Sequence, residues 1–173
     1  MSDVSLPLWV PAYIGIGSNL DDPLARVRSA FASLSRLEST RLIRASSIYR
    51  TAPMGPVEQP DFYNAAAGLL TQLQPLVLLR SLKELELQLG REASTRRWGP
   101  RQIDFDVLVY GDVVMQEQAL TLPHPGLVQR AFALVPLADI APEMRVPGAG
   151  RVADLVAKCD RSGLEWASDG PIT

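Results

Sequence analysis

Residues 91–110 read REASTRRWGPRQIDFDVLVY, and this stretch decides how the chain folds. A basic loop, with Arg91, Arg96, Arg97 and Arg101 against the single acid Glu92, runs into a Trp98-Gly99-Pro100 turn and then a strand. Side chains alternate along a strand, so Asp104 and Asp106 leave one face, roughly 6.5–7 Å apart at Cα. Ile103, Phe105, Val107 and Val109 occupy the other face and read as core, while Leu108 and Tyr110 continue the Asp face. Two carboxylates that close repel each other unless a cation lies between them. The pattern points to Mg²⁺ on the rim of a sheet, facing an arginine-rich loop that holds phosphates. Two acids at the start of a strand can also be a solvated edge, and loop arginines can be ordinary soluble surface. The balance moves because the strand turns apolar on both faces after Asp106, which puts the acids where a buried strand emerges.

The whole chain sets bounds on that reading. Its 173 residues suit one domain, with residues 1–11 and about 161–173 as peripheral tails. A net charge of −2 argues against a protein held on nucleic acid by bulk electrostatics, so anion binding has to be local. One cysteine, Cys159, rules out an internal disulfide and makes a reducing compartment the default. With one histidine and one cysteine, a His/Cys zinc site cannot be assembled within the chain. A magnesium site needs only carboxylates, water and substrate phosphates. The N-terminus lacks a basic region, carries Asp3 and is broken by Pro7 and Pro11, which makes a poor signal peptide. No apolar run is long enough to span a bilayer. The expectation is a cytoplasmic monomer that engages small molecules, not nucleic acid or membrane.

Local signals place the remaining elements. A strand at about 12–17 ends in Gly17-Ser18-Asn19, and Asp22-Pro23 starts a helix that runs to about Leu37. Residues 41–50 read as a second strand. The three prolines and one glycine of 51–61 make a long restrained loop. A strand over about 62–70 puts Phe62 and Asn64 on one face. Gln74-Pro75 opens a helix with a Leu78, Leu82, Leu85 and Leu89 stripe, and Gly90 stops it. Whether Lys83 and Glu86 on that helix face a ligand is left open. Gly111-Asp112 reads as a hairpin turn into a short strand, VVM. His124 then stands between two prolines, a helix runs from about Leu127 to Ala138, and a last short helix covers 151–158. Irregularly interleaved strands and helices without a Gly-rich nucleotide loop indicate an α+β fold.

Four ordered blocks carry a specific resemblance: YIGIGSNL at 13–20, SSIYRTAPMGP…QPDFYNAA from 46, RWGPRQIDFDVLVYG at 97–111 and LPHPGLVQRAFALVPLADIAPE at 122–143. With these the chain resembles the 6-hydroxymethyl-7,8-dihydropterin pyrophosphokinases of folate biosynthesis, from about Tyr13 to Glu143. The resemblance implies a ferredoxin-like αβα sandwich, with a mostly antiparallel central sheet and helices on both faces. It also implies transfer of pyrophosphate from ATP to the pterin's hydroxymethyl group, releasing AMP. Asp104 and Asp106 would then hold two Mg²⁺ ions, and Arg91, Arg101, His124 and Arg130 would face the phosphates. Arg91 and Arg101 join the aspartates as the catalytic set. Phe62 and Phe132 match the family's stacking pair and Asn64 its edge-reading amide, with Thr51, Pro53, Met54 and Gly55 completing the pterin edge contacts. Trp98 and Arg91 would ride on a loop that closes over the substrates. The chain departs from the family at Ala93, where a basic residue is usual, and at Phe105, where a smaller aliphatic is usual.

Two other readings compete. A nucleotidyltransferase also uses a Gly-Ser turn and an Asp-x-Asp strand, but places its acids a dozen or so residues past the turn; here they lie much further on. An RNA-binding module shares the fold class, yet requires sheet-face aromatics in a set motif and a basic surface, and neither is present.

Overall fold

The computed structural model describes residues 8–56, 58–90 and 99–173. In chain order the elements are β1 (Val10–Ser18), α1 (Pro23–Leu34), β2 (Thr40–Ala45), β3 (Ile48–Thr51), β4 (Phe62–Thr71), α2 (Pro75–Gln88) and β5 (Asp104–Tyr110). They continue as β6 (Met115–Gln116), β7 (Thr121–Leu122), a 3₁₀ turn at Leu127–Gln129, α3 (Ala131–Ile140), β8 (Arg145–Val146), β9 (Gly150–Arg151), α4 (Val152–Lys158) and β10 (Leu164–Ser168). The main sheet runs β10-β3-β4-β1-β5, with β2 also paired to β4, and each of its ladders is antiparallel. This is the expected α+β sandwich.

The period of two on β1 divides the core. Ile14 and Ile16 face Val27, Phe31 and Leu34 of α1 and Leu78 and Leu82 of α2. Tyr13 faces the opposite way, into a second cluster with Leu134 and Leu137 of α3 and Val152 and Val156 of α4. Helices therefore cover both faces, and each is held by an apolar stripe rather than by propensity alone. The helix signals act as read: Asp22 Oδ1 accepts the Ala25 N–H at 3.3 Å ahead of Pro23, and Gly90 takes a left-handed φ of +93° just past α2.

Several boundaries differ from the local reading. The single strand over 41–50 is two strands, because Ser46, fully buried, interrupts the ladder on β4 by accepting the Ala66 N–H on its Oγ. Val10 and Pro11 belong to β1, paired with Thr71 and Leu70, so the N-terminal tail is shorter than expected. Within the 161–173 segment, expected as a peripheral tail, β10 pairs with β3 and forms one edge of the sheet. The Gly111 turn is present, but the short strand after it pairs with β7 and not with β5. The helix expected over 127–138 is broken at Arg130, whose extended backbone (φ −120°, ψ 102°) separates the 3₁₀ turn from α3.

The correction that matters most lies in β5. Tyr13 pairs with Val109 but Ile14 pairs with Val107, so Leu108 is an extra residue in a β-bulge. Beyond it the alternation flips. Tyr110 joins Phe105 and Val107 in the first cluster, and Val109 joins Leu108 in the second, the reverse of the strict period of two.

Candidate active site

The site lies beside the start of α3, on the sheet face that Tyr13 shares. On β1 the residues that follow Tyr13 on that face are Gly15 and Gly17. An added Cβ at Gly15 would meet Leu108 at 3.3 Å, and one at Gly17 would meet Asn64 Oδ1 at 3.4 Å. The absence of side chains on the central strand opens a cavity of about 450 Å³. Cross-strand register then sets its layout. Gly17 pairs with Asn64 of β4 on one side and Asp104 of β5 on the other, and Gly15 pairs with Asp106. Asn64 and Asp104 are thus two strand spacings apart, about 9–10 Å.

The aspartate pair occupies the β5 wall, and both carboxylates reach the cavity. Asp104 is ion-paired to Arg101 through Oδ2, and Lys83 Nζ lies 3.7 Å from its Oδ1. Burial, and after it the neighbouring Asp104, pushes the Asp106 carboxyl above the ordinary carboxylate range, while His124, Lys83 and Arg101 pull it back. Arg101 uses only part of its fork on Asp104: its buried Nε has no hydrogen-bond partner among the described residues. A buried donor without an acceptor beside a cavity is placed to bind an anion.

His124 is brought to the aspartates by the bulge. Its backbone N–H donates to the Leu108 carbonyl at 2.8 Å. The ring Nδ1 accepts from the Gly126 N–H at 3.1 Å, so the neutral imidazole carries its proton on Nε2 and offers that N–H as a donor. Burial holds the imidazole pKa below its ordinary value, and Asp106 draws it back up. Arg130 reaches the cavity at the start of α3, with its guanidinium carbon 5.9 Å from the Phe132 ring centroid.

The opposite wall is aromatic and amide-bearing. Phe62 enters from β4 and Phe132 from α3, and Asn64 lies between β1 and β3 with its Nδ2 donating to Thr51 Oγ1 at 2.9 Å. Thr51 and Met54 line the cavity; Pro53 and Gly55 belong to the same loop but are not on its wall. The structure thus brings together Arg101, Asp104, Asp106, His124, Arg130, Thr51, Met54, Phe62, Asn64 and Phe132. Arg91, Ala93, Arg96, Arg97 and Trp98 lie outside the described residues.

Sequence reasoning overlooked two features and left a third undecided. The alternating glycines of YIGIG were legible as a cleared strand face, since Gly in a strand interior marks a close approach or a ligand. Asn19, 1% exposed, donates from Nδ2 to Gln59 Oε1 (2.9 Å) and the Pro60 carbonyl (3.0 Å) and accepts the Arg101 N–H on Oδ1 (2.8 Å). It therefore ties the 51–61 loop to the base of the arginine loop, a contact no local pattern predicts. The third is Lys83, left open above, which lines the cavity while Glu86 turns inward and is buried.

A ferredoxin-like sandwich whose cavity brings paired carboxylates, two arginines and a histidine together with Phe62, Phe132 and Asn64 has the make-up of a class, a transferase for a phosphorylated and an aromatic small molecule. The sequence profile described as 7,8-dihydro-6-hydroxymethylpterin-pyrophosphokinase (HPPK) matches residues 13–142, and the chain belongs to that family. A relative from Pseudomonas aeruginosa, named 2-amino-4-hydroxy-6-hydroxymethyldihydropteridine pyrophosphokinase, is 41% identical over 153 residues, covering 88% of this chain and 94% of its own length. A relative of the same name from Methylorubrum extorquens is 44% identical over 154 residues, covering 89% and 96%. Among solved structures, Plasmodium falciparum HPPK-DHPS superposes with a TM-score of 0.69 at 16% identity. The match covers 87% of this chain but only 42% of that one, so the likeness there is one of fold.

Proposed function

We propose that this chain transfers pyrophosphate from ATP to the hydroxymethyl group of 6-hydroxymethyl-7,8-dihydropterin in folate synthesis, releasing AMP, with Mg²⁺ held at Asp104 and Asp106. The observation that carries the reading is the row Asn64–Gly17–Asp104 across three strands. It sets an amide on one side of a bare strand and a carboxylate pair on the other, in a cavity that Phe62 and Phe132 also line. A flat heterocycle and a polyphosphate can then meet over the glycines.

The donor set suits magnesium. Among the described residues no cluster of three or more His, Cys, Asp or Glu side chains could hold a metal, and Mg²⁺ does not need one. It takes one or two carboxylates and completes its shell with water and phosphate oxygens. When bound it supplies neutralisation of the phosphate charge that develops during transfer. The residues do the rest. Arg101, through its unpaired Nε, and Arg130 bind phosphate oxygens, and His124 donates from Nε2 without adding a charge. Phe62 and Phe132 stack the pterin, and Asn64, steadied by Thr51, reads its edge, which aims the hydroxymethyl group at the phosphate end. The enzyme works as a monomer in the cytoplasm; among the described residues no helix is long and apolar enough to cross a membrane.

The test is product analysis with ATP, the pterin and Mg²⁺. AMP that forms only when both pterin and metal are present supports the assignment. Pyrophosphate release instead would point to a nucleotidyltransferase, and no AMP from folded protein would overturn the reading.

A further inference from the structure

Among the described residues β5 is an edge strand of its sheet, and backbone groups on its outer side have no neighbouring strand to pair with. At Phe105, the residue between the two aspartates, α2 supplies the partners. The Phe105 N–H donates to Glu86 Oε1 at 2.7 Å, and its carbonyl accepts from Lys83 Nζ at 3.1 Å. Lys83 and Glu86 are themselves paired at 2.7 Å, one helical turn apart. The ammonium is thus anchored by the Glu86 carboxylate and the Phe105 carbonyl. It stands 3.7 Å from Asp104 Oδ1, too long for a hydrogen bond but close enough for a strong Coulomb interaction.

We propose that Lys83 is a fixed counter-cation of the Asp104–Asp106 pair, which makes the site a poor binder of a divalent cation alone and a good binder of the same cation carried by a nucleoside triphosphate. The proposal rests on the reading of the two aspartates as metal ligands. An anchored ammonium repels a bare cation approaching Asp104 Oδ1, because Glu86 and the Phe105 carbonyl keep it from swinging away. The same ammonium attracts the phosphates, since it lines the cavity on the carboxylate side. Lys83 therefore acts with opposite sign on the two ligands. Its side chain is 44% exposed, so solvent screens it, and each effect should be about threefold to tenfold, not thousands.

Lys83→Met keeps the length and apolar stem and removes the charge. Mn²⁺ alone, titrated by the loss of its free-ion electron paramagnetic resonance signal, should bind the variant about threefold to tenfold tighter than the wild type. The magnesium complex of the non-hydrolysable methylene analogue of ATP, titrated by calorimetry, should bind it weaker by a similar factor. Lys83→Arg should return both affinities towards wild type. Shifts of the same sign, an affinity for either probe within twofold of wild type, or no Mn²⁺ binding by either protein would overturn the proposal. A Met variant that fails to fold is replaced by Lys83→Gln, read against the same outcomes. Pterin-dependent AMP formation by the wild type judges the assigned reaction separately. The sign split can hold in a protein that makes no AMP, and AMP can form in one where the split is absent.

Discussion

Replacing Asp106 with asparagine probes the site through stability as well as turnover, and the two should move in opposite directions. The Asp106 and Asp104 carboxylates leave one strand face, and taking the roughly 6.5–7 Å Cα spacing for the charge separation with an effective dielectric constant near 20, their repulsion is about 2 kcal/mol. Burial of Asp106 adds to this, while Arg101, Lys83 and His124 return part. Asparagine keeps the shape and removes the charge, so the metal-free variant should gain about 1–3 kcal/mol at neutral pH. The pH dependence carries a signature. Because the folded-state pKa of Asp106 is raised, the native protein holds a proton that the unfolded chain has already lost. That linkage stabilises the wild type in acid and is lost as pH rises through the folded value. The advantage of Asp106→Asn should therefore be absent below the ordinary carboxylate pKa, grow between that value and the raised one, and level off above it. Urea unfolding with a chelator across a pH series measures it. Turnover with saturating Mg²⁺ should fall by about three orders of magnitude or more. A variant that is less stable at neutral pH, or whose gain does not depend on pH, would refute the electrostatic account of the pair.

Other variants separate the parts of the site. Asn19→Ala removes three part-buried hydrogen bonds, among them those to the Pro60 carbonyl and the Arg101 N–H, so it should cost about 1–3 kcal/mol in urea and raise KM for both substrates. A rise confined to one substrate would show that it does not couple the two loops. Gly17→Val puts methyl groups where a bare Cβ already meets Asn64 Oδ1 at 3.4 Å, so pterin affinity should drop about tenfold or more in a calorimetric titration. Unchanged affinity would remove the cleared strand from the argument. Phe62→Ala and Asn64→Ala should each weaken pterin binding more than ATP binding. Equal losses in titrations of the two ligands would contradict the pterin wall.

How much of this was legible before folding depends on the range over which each feature is set. The shared face of Asp104 and Asp106 follows from the pleat of a single strand. The stop of α2 at Gly90 and the start of α1 at Asp22-Pro23 follow from capping, which acts within one turn. That Phe62 and Asn64 share a face, which lines the cavity, follows from the period of two along β4. The four motif blocks were sufficient to carry the family and the sandwich fold. All of these are questions that a residue's near neighbours answer.

Partners far along the chain decided the rest. The bulge at Leu108 exists only in register with β1, and it both reverses the faces of Val109 and Tyr110 and offers the carbonyl that holds His124 beside Asp106. The break at Ser46 depends on β4, and β10 becomes part of the sheet only because β3 leaves an edge to pair with. Lys83 and Glu86 looked alike on a helix surface. Their separation, one buried beneath the strand and one lining the cavity, was set when α2 packed against the unpaired edge of β5. The sequence alone thus determined which chemistry the chain carries, because residue type and local periodicity are properties of adjacent residues. Only the tertiary structure decided how those groups are spaced and charged against one another, because register, burial and ion pairing are properties of surfaces that meet.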